Sequence, residues 1–366
     1  MLSPARIAAY EILRKVDAGG YASDLLLRSE LDSRDAGLAS QIVFGVLRYR
    51  AQLDFLIDYF AGRSPKLDPE VRAALRMGIF QLRYLERVPA HAAVSESAEL
   101  VKRARKTSAV GMVNAVLRKA GGDVSASIAW PNRAVALSCP EWLLARWEQR
   151  WGAEIAEGIA RTALQEPETY VRIGAAGARR QDIGSQSIVP WLRLEPGQRV
   201  LDLCAAPGNK TAQMIDAGAR VVACDVHFHR LLPMKTLGVE LVLLDGTAAA
   251  GLPFPAGCFD RVLVDAPCSG SGTLGRNPEI KWRLRPEDLL DLQRRQKALL
   301  AAALAVLSPG GLLVYATCSL EAEENEHVAA AAPAVWLCHT QQRIPGRDLG
   351  DGFYAAVIKS NEPAND

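Results

Sequence analysis

From Arg199 onward, five short apolar runs alternate with helix-patterned stretches, and this alternation restricts the fold more than any other feature of the chain. The runs are Val200 to Leu203, Arg220 to Ala223, Val239 to Leu244, Arg261 to Val264 and Leu312 to Tyr315, and the longest intervening helix is expected from Asp288 to Leu307. Strands this uniformly apolar are buried on both faces, which requires a mostly parallel sheet covered by helices on each side. A closing pair, Ala334 to Cys338 and Phe353 to Ile358, is expected to add two edge strands. In an open α/β sheet of this kind, ligands bind beyond the carboxyl ends of the strands. The residues just after each run are the ones to read for chemistry.

Two of those ends carry thiols. Cys268 sits in Asp265-Ala266-Pro267-Cys268-Ser269-Gly270, and Cys318 in Tyr315-Ala316-Thr317-Cys318-Ser319. Both are expected to face one cleft. A single buried cysteine is commonly inert packing, but two at neighbouring strand ends, beside an acid and small polar residues, point to thiolate chemistry. The seven cysteines are scattered without a CxxC or Cys/His pattern, which suggests neither a disulfide framework nor a metal site. The start, Met1-Leu2-Ser3-Pro4-Ala5-Arg6, lacks the pattern of a secretory leader, and no apolar run has membrane-spanning length. The expectation is a cytoplasmic, monomeric protein with reduced thiols, no membrane segment and no metal.

Acids mark the remaining strand ends. The first strand leads into Asp202-Leu203-Cys204-Ala205-Ala206-Pro207-Gly208-Asn209-Lys210-Thr211, a glycine-bearing loop that lets a ligand approach the backbone near a helix N-terminus. It matches neither a Walker A loop nor GxGxxG, which disfavours ATP and NAD. Asp225 ends the second strand, where an acid commonly accepts hydrogen bonds from ribose hydroxyls. Asp245, after the third, is placed to hold an adenine amino group, and Asp265 ends the fourth. Any one of these acids reads equally well as a helix cap. Together they suit a nucleoside cofactor without a triphosphate, and S-adenosyl-L-methionine fits. The candidate cofactor residues are Cys204, Ala205, Ala206, Pro207, Gly208, Asn209, Lys210, Asp225, Asp245 and Asp265.

Ahead of the sheet the pattern is helical. Ile7, Tyr10, Ile12 and Leu13, then Ile42, Val43, Val46 and Leu47, then Leu53, Leu56, Ile57 and Phe60 follow the spacing of helices that bury one face. Pro65 and Pro89 punctuate the run. Residues 1–125 hold 19 Lys/Arg against 14 Asp/Glu in a chain whose net charge is only +2. The excess gathers at Lys102-Arg103-Ala104-Arg105-Lys106, a weak pointer to phosphate contacts that reads equally as a solvated helix face. The chain thus divides into a helical domain at 1–125, a linking stretch at 126–196 and a sheet domain at 197–366. Within the link, Trp142 to Trp151 reads as helix, Thr169 to Ile173 as a short strand and Ser185 to Leu194 as a helix. Gly174 to Gln181 follows no pattern.

Several phrases resemble a known family. Asp202 to Thr211, Asp265 to Gly270, Thr317-Cys318-Ser319 and Glu324-Asn325-Glu326 resemble the signature of RNA cytosine-5 methyltransferases of the NOL1/NOP2/Sun family, class I Rossmann-like enzymes. Phe44 to Arg48, Leu75 to Leu82, Val88 to Val94 and Val113 to Arg118 are similar to the NusB-like RNA-binding domain of one branch. The resemblance covers nearly the whole chain, through Asp351-Gly352-Phe353-Tyr354. It implies an α/β protein: an all-α NusB-like domain, then a Rossmann-like methyltransferase domain. It further implies methyl transfer from S-adenosyl-L-methionine to carbon 5 of a cytosine in 16S ribosomal RNA, before or during assembly of the small subunit. Under it Cys318 is the nucleophile, Cys268 serves release of the adduct, and Asp265 holds the cytosine edge.

Two departures from the family accompany the resemblance. Gly208-Asn209 stands where two glycines are usual, and Asn is expected to take the left-handed conformation that keeps the loop functional. Only Tyr170 to Gln181 stands where a small α/β RNA-contacting subdomain is usual, so 126–196 reads as a link with that subdomain shortened. Other readings stay open: the same chemistry on another RNA such as a transfer RNA, or a non-catalytic NusB-like RNA-binding regulator. A DNA cytosine methyltransferase is disfavoured, because its nucleophile is expected in the fourth-strand Pro-Cys phrase alone.

Overall fold

The computed structural model describes residues 2–62, 66–122, 128–175, 177–248 and 251–361; Pro65 and residue 125 lie outside them. The chain forms two compact units, Met1–Glu166 with Leu274–Arg283, and Pro167–Thr273 with Leu284–Asp366.

The second unit begins with a hairpin of β1 (Val171–Gly174) and β2 (Gly177–Arg180). Its sheet contains β3 (Arg199–Asp202), β4 (Arg220–Asp225), β5 (Glu240–Leu243), β6 (Phe259–Asp265), β7 (Leu307–Thr317), β8 (Leu337–Arg343) and β9 (Phe353–Lys359). The spatial order is β5-β4-β3-β6-β7-β9-β8. β3 to β7 run parallel, and β9 returns antiparallel between β7 and β8. This is the mostly parallel, Rossmann-like sheet expected from the apolar runs. Alternate residues feed two cores. Val262, Val264, Leu313 and Tyr315 pack under Leu299, Leu300 and Ala303 of the helix Pro286–Val306, while Val200, Leu263, Val314 and Ala316 face Ile188, Leu192 and Met214. Strand order reverses between β3 and β6, and this switch point opens the crevice where ligands bind in such sheets.

Three local expectations are corrected. Ser185 to Leu194 is not one helix: Ile183–Gln186 is a single α-turn and Val189–Leu192 a 3-10 turn, because Pro190 has no N–H to continue the ladder. The edge strand expected at Ala334 to Cys338 starts later, at Leu337, since Ala334–Trp336 is a 3-10 turn after Pro333. Gly174 to Gln181, which follows no apolar pattern, supplies the second strand of the hairpin.

The first unit is helical, as the NusB-like phrases imply. Its main helices are Pro4–Asp17, Ser33–Arg48, Arg50–Ala61, Pro69–Tyr84, Ala90–Arg103, Val110–Ala120, Glu141–Trp151 and Ala153–Thr162. Pro69–Tyr84 is central, with every residue from Ala73 to Gln81 buried. Arg76 lies on it, and two 2.8 Å bonds to both oxygens of Asp54 compensate its burial. Residues 274–283 complete the unit by closing the end of Ser33–Arg48. Trp282 Nε1 donates to Leu47 O at 2.7 Å and buried Lys281 Nζ donates to Arg48 O at 2.9 Å, so two side chains satisfy carbonyls that a helix end leaves open. Burial lowers the Lys281 ammonium to about 8. Among the described residues no helix is long and apolar enough to cross a membrane, and no group of three or more His, Cys, Asp or Glu side chains is placed to hold a metal ion.

The packing of two of these helices rests on a glycine. A Cβ on Gly45, in Ser33–Arg48, would lie 1.9 Å from the Phe80 ring, which is itself buried. Gly45→Ala is expected to lower stability by about 1–3 kcal/mol through overpacking, read as a lower urea midpoint for the helical unit. An unchanged midpoint would show that the ring moves aside without cost.

Candidate active site

Parallel pairing of β6 with β7 sets Asp265 beside Ala316, so the chain leaving each strand enters the same space. Ala266 N donates to Ala316 O and Gly272 N to Cys318 O, both at 2.9 Å. The result is a contact between Cys268 Sγ and Cys318 Sγ of 3.3 Å, with both thiols partly exposed. They are separate thiols sharing a hydrogen bond. That bond, reinforced by burial, pushes the Cys268 thiol well above its ordinary range. Either sulfur can donate in this contact, and two thiolates at this distance would repel.

Asp265 Oδ2 pairs with Lys210 Nζ at 2.6 Å, and the same ammonium lies 5.2 Å from the centre of the Phe353 ring. Lys210 comes from the first turn of the helix Asn209–Asp216, so the loop after β3 and the end of β6 are tied together. Asp202 is buried beneath them. Its Oδ2 accepts from Thr211 Oγ1 at 2.6 Å and its Oδ1 has no hydrogen-bond partner among the described residues. Burial pushes its carboxyl up to about 7.

The acid at the end of β4 faces the same loop. Asp225 Oδ2 accepts from Ala206 N at 3.2 Å and Oδ1 from His227 N at 2.9 Å. Asp245, two residues past β5, accepts from Thr247 N at 2.9 Å and Thr247 Oγ1 at 2.6 Å, bonds that hold its carboxyl below the usual range. Gly208 has the left-handed backbone, φ +96°, and Asn209 is already the first helical residue. The expectation that Asn209 must adopt the left-handed form is therefore corrected. The loop turns one residue earlier, and Asn209 Nδ2 donates to Arg180 O at 3.1 Å.

A cavity of about 590 Å³ collects these groups, within the range of small-ligand sites. Of the residues expected from sequence, Cys204, Ala206, Lys210, Asp225, Asp245, Asp265, Cys268 and Cys318 line it. Ala205 instead packs inward against Ala223, Leu231 and Met234, while Pro207, Gly208 and Asn209 shape the loop outside the lining. Burial raises the Cys204 thiol strongly, which keeps it protonated. Arg230, Thr247, Arg295 and Phe353 also line the cavity and were not singled out by sequence. The three polar ones carry no pattern that would find them, and Phe353, though in a family-like phrase, reads from sequence only as a strand residue. Asp225 and Asp245, which form no ion pair among the described residues, stand near a backbone that turns at glycine and suit a ligand with hydroxyls and an amino group.

The basic cluster of the helical unit is largely paired. Lys102 meets Glu99 at 3.1 Å, Arg103 meets Glu11 at 3.8 Å and Lys106 meets Asp68 at 3.1 Å. Exposed pairs of this kind contribute little to stability, and they offset part of the local positive charge.

Comparison with known proteins matches two parts of the chain. Residues 189–359 match the family model described as 16S rRNA methyltransferase RsmB/F, and residues 3–121 match the NusB family. Ribosomal RNA small subunit methyltransferase B of Klebsiella pneumoniae is 32% identical over 426 aligned residues, covering 96% of this chain and 97% of the relative. The probable ribosomal RNA small subunit methyltransferase B of Bacillus subtilis is 30% identical, covering 89% and 87%. The crystal structure of PH0851 shares the fold along 96% of this chain and 98% of its own, at 21% identity and TM-score 0.75. A methyltransferase homologue from Pyrococcus horikoshii, 25% identical, covers 62% of this chain and 97% of its own at TM-score 0.50.

Asp202 gives the sheet unit a pH dependence of known sign. Its folded pKa, about 7, lies above the ordinary carboxyl value, so between the two the native state binds more protons than the unfolded chain, and stability falls as pH rises. Asp202→Asn keeps an oxygen for Thr211 and does not titrate. From about pH 5 to about pH 8 the unaltered protein is expected to lose more stability than the variant, by roughly 2 kcal/mol in urea titrations. Equal losses would place the titrating group elsewhere.

Proposed function

Because this chain belongs to the 16S rRNA methyltransferase RsmB/F family, with a NusB-family domain ahead of its catalytic sheet, we propose that it methylates carbon 5 of a cytosine in small-subunit ribosomal RNA through a covalent adduct with Cys318. The observation that carries the reading is the 3.3 Å contact between Cys318 and Cys268 in a cavity that also holds Asp265.

S-adenosylmethionine, the family's methyl donor, supplies a methyl group on a sulfonium, an electrophile that needs an electron-rich carbon. The protein's residues make that carbon. Cytosine C5 is a poor nucleophile until a thiolate adds to C6, so Cys318 forms a sulfur–C6 bond and the ring's electrons move toward C5 and N3. Cys318 gives its proton to solvent as its sulfur attacks, while Cys268 keeps its own and donates to that sulfur across the 3.3 Å contact. Asp265 accepts from the amino group on the cytosine edge, and Lys210, 2.6 Å from its Oδ2, sets a positive charge beside the charge developing at N3. After transfer, Cys268 gives its own proton to solvent and takes the proton from C5. The sulfur–C6 bond breaks and Cys318 leaves as thiolate. Asp225 holds the ribose hydroxyls of the donor, Asp245 its adenine amino group, and the loop from Cys204 to Lys210 the remainder. The target base must leave its stack to reach the thiols.

Bisulfite mapping of ribosomal RNA from cells with and without the gene tests the reading directly: one small-subunit cytosine should lose protection. Cys318→Ala is expected to abolish methyl transfer and leave donor binding intact. Cys268→Ser is expected to accumulate a protein–RNA adduct that survives denaturing electrophoresis and vanishes when Cys318 is also replaced. If RNA binds and no adduct forms, the division of labour between the thiols is wrong.

Asp225→Ala should weaken donor binding by about 1–3 kcal/mol, the range for hydrogen bonds to a charged group. Unchanged affinity by calorimetry would reduce Asp225 to a cap for Ala206 and His227.

A further inference from the structure

We propose that Glu324 is the positioning residue of the thiol pair, a buried carboxylate that binds the loop after β6 to the loop after β7 and so fixes the distance between Cys268 and Cys318. Its catalytic consequence rests on the covalent reading above; its geometry does not.

Glu324 is fully buried and stands outside the cavity lining. Its Oε1 accepts from the backbone N–H of Ser269 at 2.8 Å and from Gln296 Nε2 at 2.9 Å. Its Oε2 accepts from the hydroxyls of both Ser269 and Ser319. Ser269 follows Cys268 and Ser319 follows Cys318, so one side chain holds the residue next to each sulfur. Gln296, also fully buried, gives its amide a second bond to Pro267 O at 3.0 Å, on the other side of Cys268. The neighbouring Asn325 pins the second loop again, accepting from Thr317 Oγ1 and donating to Ser319 O at 2.9 Å.

A carboxylate suits this place because four donors converge on two oxygens. A neutral amide presents one acceptor oxygen and cannot take all four. Burial raises the Glu324 carboxyl against those four bonds, so the anion is kept only while the serines and the glutamine are in place. A group that merely stabilised the fold would not need partners from both thiol loops. This one has them, and a displacement of even about 1 Å at reacting atoms costs on the order of a hundredfold in rate.

The test uses the full chain with Glu324→Ala, Glu324→Gln and, as a control, Cys268→Ser. Diamide joins two adjacent thiols, taking up their two hydrogens to become the hydrazine, so its rate of coupling Cys268 to Cys318 reports their separation without any RNA. Glu324→Ala is expected to slow coupling at least about tenfold and to lower kcat about a hundredfold, with donor affinity by calorimetry unchanged. Glu324→Gln, which keeps the shape and lets a serine hydroxyl turn to accept, should restore most of the coupling rate. Should the Ala variant not fold, Ser319→Ala removes one donor and no charge, and coupling is expected to slow severalfold. Wild-type coupling in Glu324→Ala, or in Ser319→Ala where it is used instead, overturns the proposal. Slow coupling with unchanged methyl transfer upholds the positioning role and overturns the covalent reading instead.

Discussion

The in-register parallel pairing of β6 with β7 is the constraint on which the rest of the site depends. Val264 lies beside Tyr315 and Asp265 beside Ala316, and the two cysteines follow at fixed offsets along chains leaving in the same direction. A strand advances roughly 3.3 Å per residue, so a slip of one residue would displace the thiols by about the length of their present contact. Such a slip of β7 would also turn Leu313 and Tyr315 from one helix-covered face to the other, away from Val262 and Val264. Both faces are buried, but they differ in shape. The register is thus held by the hydrophobic core, and reactive geometry comes from packing.

Polar groups then refine what the core sets. Asp202, Asp265, Lys210 and Thr211 form a chain of contacts from the end of β3 to the end of β6. Asp225 reaches the same loop from β4 through Ala206 N. Asp225 is satisfied by backbone N–H groups and Asp265 by one ammonium, while Asp202 has a hydroxyl on one oxygen and none on the other. The cost of burying these charges is offset only while the strand ends remain together, which couples the integrity of the sheet to that of the site. Phe353 joins from β9, its ring beside Lys210, so the antiparallel return strand also contributes to the cavity.

Much of this was legible in the sequence because it has short-range signatures. Apolar runs of strand length gave the sheet, and residues following them gave both thiols and the acids lining the cavity. What the sequence left unread has a different physical origin. Glu324 stands in a family-like phrase, but its partners are Ser269 and Gln296, each more than two dozen residues away; hydrogen bonds across such separations leave no periodicity. Nor does any pattern mark Lys281 and Trp282 as the side chains that close the helix ending at Arg48. Asn209 shows the reverse error. Its ability to adopt a left-handed backbone was a sound propensity, and Gly208 takes that position first.

The charge of the cavity narrows what can enter it. Lys210 is paired with Asp265, Arg230 donates to Ala206 O at 3.1 Å, and among the described residues neither Asp225 nor Asp245 sits in an ion pair. Arg295 also lines the cavity, so Asp225, Asp245 and Asp265 stand against Lys210, Arg230 and Arg295, and Asp225 and Asp245 are the carboxylates left to accept hydrogen bonds from a ligand. A nucleobase is neutral. Extruded from its stack, it can reach the thiols while its backbone stays at the mouth. On the proposed reaction, a base that enters alone leaves its phosphates outside the cavity, and an unpaired target suits that entry better than a paired one.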